Sequence, residues 1–405
     1  MSIGTLRVSV FDVSVGFPVQ GARVTINRTG SEDVISINET DSSGISEIVE
    51  LEAPPVDYSL DSESPKPYSE YDILAEKEGF EPITLRGAQI LGDSRAQQNI
   101  FLTPANTQAE PQIYSIPEHV LYGNYPEKIA EPEVKELPSP TGFVVLESPV
   151  VPEFIVVHDG TPMDSSASNY WIPYKDYIKN VCSSEIYPTW PVECIKANVL
   201  AIISFTLNRV YTEWYRSRGY GFTVTSSTAY DQKFTYQRNI FEEISVVVDE
   251  IFSSYITRPN IEQPLFTQYC DGKRVTCPNW LSQWGSKDLA DNGANYLDIL
   301  RQYYGYDIYL EIAKEIAGVP VSYPGNTLQI GSTGNPVRTI QSQLNSISNN
   351  YPAILKLASD GIYGSATSDA VKTFQSIFNL PQTGVVDYAT WYAISKIYVA
   401  VEKIS

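Results

Sequence analysis

Few residues in this chain can do chemistry, and their types narrow what is on offer. Only two histidines occur, His119 and His158. The four cysteines stand at 182, 194, 270 and 277, with gaps of eleven and six residues. No CxxC pair results, so the usual zinc spacing is missing. Buried thiols, a disulfide in one or both pairs, and a metal site leaning on cysteine all remain open. A Cys–His nucleophile would have to join Cys182 to His158. Carboxylates are better supplied. Glu185 stands one turn after Cys182 and just ahead of Trp190-Pro191, so it falls where a helix ends. A carboxyl at such a boundary can face a cleft and work as general acid and base. Glu193, on the next helix, is the second carboxylate of this region.

These side chains need elements to hold them. Pro173 is well placed to open a helix running to about Ser184. Tyr187-Pro-Thr-Trp-Pro191 breaks it, and an apolar helix follows from about Val192 to Tyr215. Its longest apolar run, Val199 to Leu207, lies between Lys196 and Arg209. That is too short to span a bilayer, which takes about 20 apolar residues. Phe154 to His158, Ile244 to Val248 and Leu265 to Tyr269 read as strands, and Tyr296 to Tyr304 as a short amphipathic helix. The N-terminus lacks a basic region followed by an apolar one, so no conventional signal peptide is expected.

The chain of 405 residues suggests two to four domains. With 42 % hydrophobic and 19 % charged residues it has ample core. Its 28 basic and 48 acidic residues give −20, which argues against a nucleic-acid partner. Residues 1–140 hold 9 basic and 23 acidic side chains, residues 328–405 hold 5 and 4. An acidic front and a near-neutral tail suggest separate jobs.

Residues 1–104 read as all-β. Leu6, Val8 and Val10 alternate with Arg7, Ser9 and Phe11, and Asp41-Ser-Ser-Gly44 is a turn signal. Pro18-Val-Gln-Gly-Ala-Arg-Val24, Thr40-Asp-Ser-Ser-Gly44 and Lys77-Glu-Gly-Phe80 resemble the small β-sandwich of the carboxypeptidase-regulatory or transthyretin-like type. Residues 105–152 are rich in proline and acid, as extended, accessible, protease-sensitive linkers are. Residues 318–325 form a second, shorter linker. Residues 326–405 hold three helices. Gly331, Val337, Gln341, Leu344, Asp360-Gly-Ile-Tyr-Gly364, Ala370-Val, Phe374-Gln, Gly384-Val-Val and Thr390-Trp391 resemble the peptidoglycan-binding type 1 domain.

The central residues, 153–320, resemble the SpoIID-type lytic transglycosylase domain. The match runs through Ile172 to Glu185, Pro188-Thr-Trp-Pro191, Lys196-Ala197, Tyr230-Asp-Gln232 and Leu281-Ser-Gln-Trp-Gly-Ser286. Where that family has Gly-His-Gly, this chain has Thr276-Cys-Pro-Asn-Trp280, so no histidine-built metal site is expected. The resemblance implies a multidomain chain: a β-sandwich, a central α+β catalytic domain and a three-helix tail. It implies Glu185 as the catalytic residue, with Tyr187, Trp190, Asp231, Gln232, Ser282 and Gln283 positioning substrate. Cys270 and Cys277 could pair with each other.

The order of parts resembles the clostridial SleC-type spore cortex-lytic enzymes. That family implies a zymogen in the bacterial spore, acting on cortex peptidoglycan. It implies a subtilisin-like Csp germination protease as activating partner, cutting between about residues 110 and 150. No cofactor is implied. A lytic transglycosylase needs one carboxyl, because the muramic C6 hydroxyl is an internal nucleophile. The same group serves as acid, then base, and a pKa raised towards neutrality by partial burial would suit it. The competing functions are a muramoyl-alanine amidase and a non-catalytic wall-binding adaptor. Whether the front domain blocks the cleft is open; if it does, residues 1–103 should touch the surroundings of Glu185.

Overall fold

The computed structural model describes residues 1–13, 16–105, 112–118, 121, 125–137, 148–275, 277–317, 321 and 323–402. The chain is multidomain, sheet-rich at the front and helical at the tail.

Eight strands build the front. They are β1 (Ser2–Asp12), β2 (Arg23–Arg28), β3 (Val34–Glu39), β4 (Val49–Ala53), β5 (Tyr68–Glu76), β6 (Ile83–Leu91), β7 (Arg95–Leu102) and β8 (Gln112–Ser115). Leu6, Val8 and Val10 on β1 are fully buried, as their period of two requires. One sheet has the order β3-β2-β5-β6-β8, and β4, β1 and β7 form the core of the other. Asp41 shapes the turn before β4 by accepting the amides of Ser43 and Ile45 (2.8 and 3.0 Å). β8 corrects the expectation of an accessible linker. It pairs in parallel with β6, Ile83 facing Gln112.

The central region begins with β9 (Val150–Val151), β10 (Phe154–His158) and β11 (Asn169–Pro173), then α1 (Tyr174–Glu185) and α2 (Val192–Tyr211). Next come β12 (Val224–Thr225), β13 (Ile240–Phe241), α3 (Glu242–Ile251), β14 (Ser254–Thr257), β15 (Tyr269–Cys270) and β16 (Leu281–Ser282). Then follow α4 (Gln283–Asp291), α5 (Tyr296–Tyr304), β17 (Tyr309–Ile312) and β18 (Glu315–Ile316). α2 is the axis, packed by α1, α3, α4, α5 and β14. Residues 244–248, expected as a strand, are helical. Their β-branched types mislead, but Ile244, Val247, Val248 and Ile251 repeat at helical spacing, and Glu242 and Glu243 favour a helix N-terminus. Of residues 265–269 only Tyr269 enters a strand, β15, which pairs with β16.

β13 joins the front sheet, Ile240 and Phe241 pairing with Gln97 and Ala96 of β7. Asn239 extends the seam, accepting the Gln89 amide at 2.8 Å and donating to its carbonyl at 2.9 Å.

The tail consists of α6 (Asn335–Ile347), α7 (Ser365–Ile377) and α8 (Tyr388–Glu402) around Val337, Leu344, Val371, Phe374, Trp391 and Ile394. Two buried glutamines fix its loops. Gln341 accepts the Gly361 amide (2.9 Å) and donates to the Ile362 carbonyl (3.0 Å). Gln375 does the same with Gly384 and Val385, at 2.9 Å each. The tail docks on both other parts: Arg7 donates to the Ser376 carbonyl (2.8 Å), and Ser253 shares a hydrogen bond with Tyr388 (2.6 Å).

Buried Asp249 binds Lys175 (2.8 Å) and Lys179 (2.6 Å) beside α8. Burial pushes its carboxyl up, but the two ammonium groups outweigh that and hold it down to about 2. A depressed carboxylate contributes stability above its unfolded value and loses it as pH falls through the folded one. Acid denaturation of the wild type is therefore expected to lose about 2 kcal/mol from this group between about pH 4 and pH 2. In Asp249→Asn, urea melts across that range should show a correspondingly shallower pH dependence.

Candidate active site

Glu185 is the last residue of α1, and its carboxylate is held from three sides. Oε1 accepts the Lys233 amide (2.8 Å) and the Tyr269 hydroxyl (3.2 Å). Oε2 accepts Gln283 Nε2 at 3.1 Å, and the same nitrogen donates to the Glu185 carbonyl at 2.9 Å. Gln283 thus locks both the helix end and the side chain. The carboxylate faces a cleft lined also by Leu121, Tyr125, Lys128, Asp271 and Val275.

Asp271 is the residue sequence reasoning missed. Its Oδ1 accepts the amides of Lys273 and Val275 (3.2 and 2.9 Å). Its Oδ2 is buried and has no partner among the described residues. No motif marks it, but it directly follows Cys270 and precedes a glycine that must be a glycine. Gly272 has φ +75°, and a Cβ there would sit 1.8 Å from Ser282 Oγ. Cys270 and Cys277 form a disulfide, closing the loop that carries Asp271 and Val275 along the cleft wall.

Lys128 enters the cleft from the opposite side. Its ammonium lies 4.1 Å from the centre of the Tyr269 ring and donates to the Asp231 carbonyl at 3.0 Å. Desolvation pulls its pKa below the ordinary lysine value, while the charges of Glu185 and Asp231 pull it back up. The expectation of an accessible linker is corrected here too. Leu121 is buried, its amide donating to the Tyr187 hydroxyl (3.3 Å). Lys135 is buried against the Phe266 ring (3.7 Å) with its ammonium on Glu131 (2.6 Å). The front sandwich reaches this neighbourhood as well, through Ser59 on Thr189 (2.7 Å) and the Ser59 carbonyl on Trp190 Nε1 (2.8 Å). Residues 138–147, where part of the expected cleavage region falls, lie outside the described residues.

The other sequence-picked residues are placed less directly. Asp231 and Gln232 are fully buried behind the cleft rather than lining it. Asp231 accepts Arg209 Nε (2.7 Å), Tyr215 Oη (2.7 Å) and both the amide and hydroxyl of Thr225 (2.9 and 2.7 Å). Gln232 accepts the hydroxyls of Tyr177 (3.0 Å) and Thr206 (2.8 Å). Both were expected to touch substrate, but their hydrogen-bonding groups are spent on the fold. Ser282 caps α4, accepting the Gly285 amide at 2.9 Å. Tyr187 and Trp190 pack with Trp284 in a buried aromatic cluster, the two tryptophan rings 4.9 Å apart. Glu193 accepts the Tyr296 amide (2.8 Å) and so starts α5; it takes no part in the cleft.

Burial pushes the Cys194 thiol up to about 12 and the Cys182 thiol well above its ordinary value. Neither supplies a thiolate at neutral pH. His158 is stacked on Phe222 (4.5 Å) and shares a hydrogen bond with Asn169 (2.8 Å). Among the described residues, no group of three or more His, Cys, Asp or Glu is placed to hold a metal ion. No described helix is long and apolar enough to cross a membrane.

Residues 333–394 match the model of the peptidoglycan binding domain family. The tail is a peptidoglycan-binding module. It supports peptidoglycan as a partner and a cell-wall related role. No curated protein matches the chain significantly. Among solved structures, the SleB N-terminal domain is 27 % identical, covering 19 % of this chain and 99 % of its own, at TM-score 0.17. A Klebsiella pneumoniae 5-hydroxyisourate hydrolase is 19 % identical over 25 % of this chain and 92 % of its own, at TM-score 0.18.

Replacing buried Trp190 by alanine should remove the ring cluster and the bond to Ser59. A loss of about 3–5 kcal/mol in urea melts is expected. A sugar-stacking surface residue would change stability by less than about 0.5 kcal/mol.

Proposed function

We propose that the chain is a peptidoglycan lytic transglycosylase of the spore cortex, with Glu185 as its acid and base. One observation carries the reading: the Glu185 carboxylate, fixed by Lys233, Tyr269 and Gln283 at the end of α1, opens on a cleft in a chain that also carries a peptidoglycan-binding domain. The resemblance of residues 172–286 to the SpoIID type supports it.

Glu185 protonates the leaving glycosidic oxygen. The C6 hydroxyl of the muramic residue then attacks C1 as Glu185 takes its proton, closing a 1,6-anhydro ring. Gln283 keeps the carboxylate aimed throughout. The chain is stored as a zymogen, with residues 1–104 and the following acidic segment as its pro-region. A subtilisin-like protease of the Csp kind activates it.

Asp271 favours a second reading. A partnerless carboxylate oxygen in the same cleft could activate water, and hydrolysis with two carboxylates would follow.

Mass spectrometry of cortex peptidoglycan digests separates the two. Wild-type, activated protein should give anhydro-ended muropeptides, and Glu185→Gln should lower the rate by at least about a hundredfold. Asp271→Asn should leave product identity unchanged. Reducing-end sugars that vanish in Asp271→Asn would establish hydrolysis instead, and free stem peptides would establish an amidase.

A further inference from the structure

Residues 125–135 lie as a strap over a continuous floor. Ile129 donates its amide to the Ala229 carbonyl, and Glu133 receives the Phe266 amide on its carbonyl, both at 2.8 Å. Two glutamines in the floor each bind one peptide N–H and one peptide C=O of the strap. Gln268 accepts the Glu131 amide (2.9 Å) and donates to the Ile129 carbonyl (2.7 Å). Gln263 accepts the Lys135 amide and donates to the Lys135 carbonyl, both at 3.0 Å. Arg209 grips the Glu131 carboxylate with two N–H groups, at 2.9 and 2.7 Å. The aromatic faces of Tyr269 and Phe266 lie under Lys128 and Lys135. The cleft left between strap and Glu185 measures about 50 Å³. That is room for a few waters.

Both glutamines are buried, and so is the Arg209 side chain. Buried amides and guanidinium groups are costly unless partnered, so this floor is built to be occupied. An acetamido group offers the same N–H and C=O as a peptide unit. Aromatic faces suit the apolar faces of pyranose rings. A guanidinium with a two-pronged approach suits a carboxylate.

We infer that the floor formed by Gln263, Phe266, Gln268, Tyr269 and Arg209 is the groove for an acetamido-bearing, carboxylate-bearing glycan. The strap fills it as a built-in surrogate, with Lys128 standing before Glu185. The inference rests on Glu185 being the catalytic group of that cleft. It adds where the polymer lies and why the intact chain is closed to it.

The test uses the full chain and reads binding, not turnover. Calorimetric titrations compare chitohexaose, which carries acetamido groups, with cellohexaose, which does not. The wild type is set beside a strap variant, Lys128→Ala with Glu131→Gln. Apparent affinity scales with the open fraction, so the variant should bind chitohexaose at least about tenfold more tightly than the wild type. Cellohexaose should show no gain. Adding Gln268→Ala to the strap variant should return chitohexaose affinity to the wild-type level. Equal chitohexaose affinity in wild type and folded strap variant overturns the inference, and so does a gain that cellohexaose shares. If thermal melts show the variant unfolded, hydrogen exchange on the wild type decides. Saturating chitohexaose should accelerate exchange in residues 125–135, and unchanged exchange overturns the inference. Glycan binding without any cleavage by the activated protein would sink the catalytic reading while leaving the groove in place.

Discussion

A buried guanidinium organises this molecule. Arg209 comes from the last turn of α2, its side chain without solvent exposure, and bonds Asp231 on one side and Glu131 on the other. Taking these charges out of water is expensive, and the attraction repays it only when the remaining bonding positions are filled. They are filled. Asp231 gathers four donors, and Arg209 also donates to the Tyr230 carbonyl at 3.0 Å. One residue therefore ties the apolar axis, the turn that leads to Lys233, and the strap across the cleft. Since the Lys233 amide holds Glu185, the pose of the candidate catalytic carboxylate descends from this hub.

Around it, side-chain amides do much of the joining. Gln283 locks the end of α1, Gln263 and Gln268 hold the strap, and Gln341 and Gln375 hold the two loops of the tail. An amide carries both donor and acceptor without charge, so it can satisfy an irregular backbone segment at little desolvation cost. That economy suits a chain with long non-repetitive stretches between helices.

Local rules made much of the fold legible. Alternation in Leu6, Val8 and Val10 marks an inward strand face, Pro173 precedes α1, and Tyr296 to Tyr304 reads as the helix it is. At Ile244 to Val248 the β-branched residue types suggest a strand, while their spacing gives the helix. The strap was illegible for a different reason. Glu131, Lys128 and Lys135 look like solvated charges among prolines, and partners far off in sequence, such as Arg209 at 78 residues from Glu131, bury them. The cleft shows the same division. Glu185 stands at a visible element boundary, whereas Asp271 is brought there by the parallel pairing of β15 with β16, which no short motif encodes. Tyr187 and Trp190 carry rings of the type that stacks on sugars, and in the fold those rings pack against each other and Trp284.

The seam between the front sandwich and the central region has a mechanical consequence. β13 belongs by sequence to the centre, yet it is hydrogen-bonded into the front sheet beside β7. Severing the backbone anywhere between the two would therefore yield a nicked complex, not two free bodies. Parting the pieces would unpair Ala96 and Gln97 and leave that edge of β7 open, the kind of surface that seeks a new strand. Proteolysis and release are thus separate events in this architecture, and the second has its own barrier.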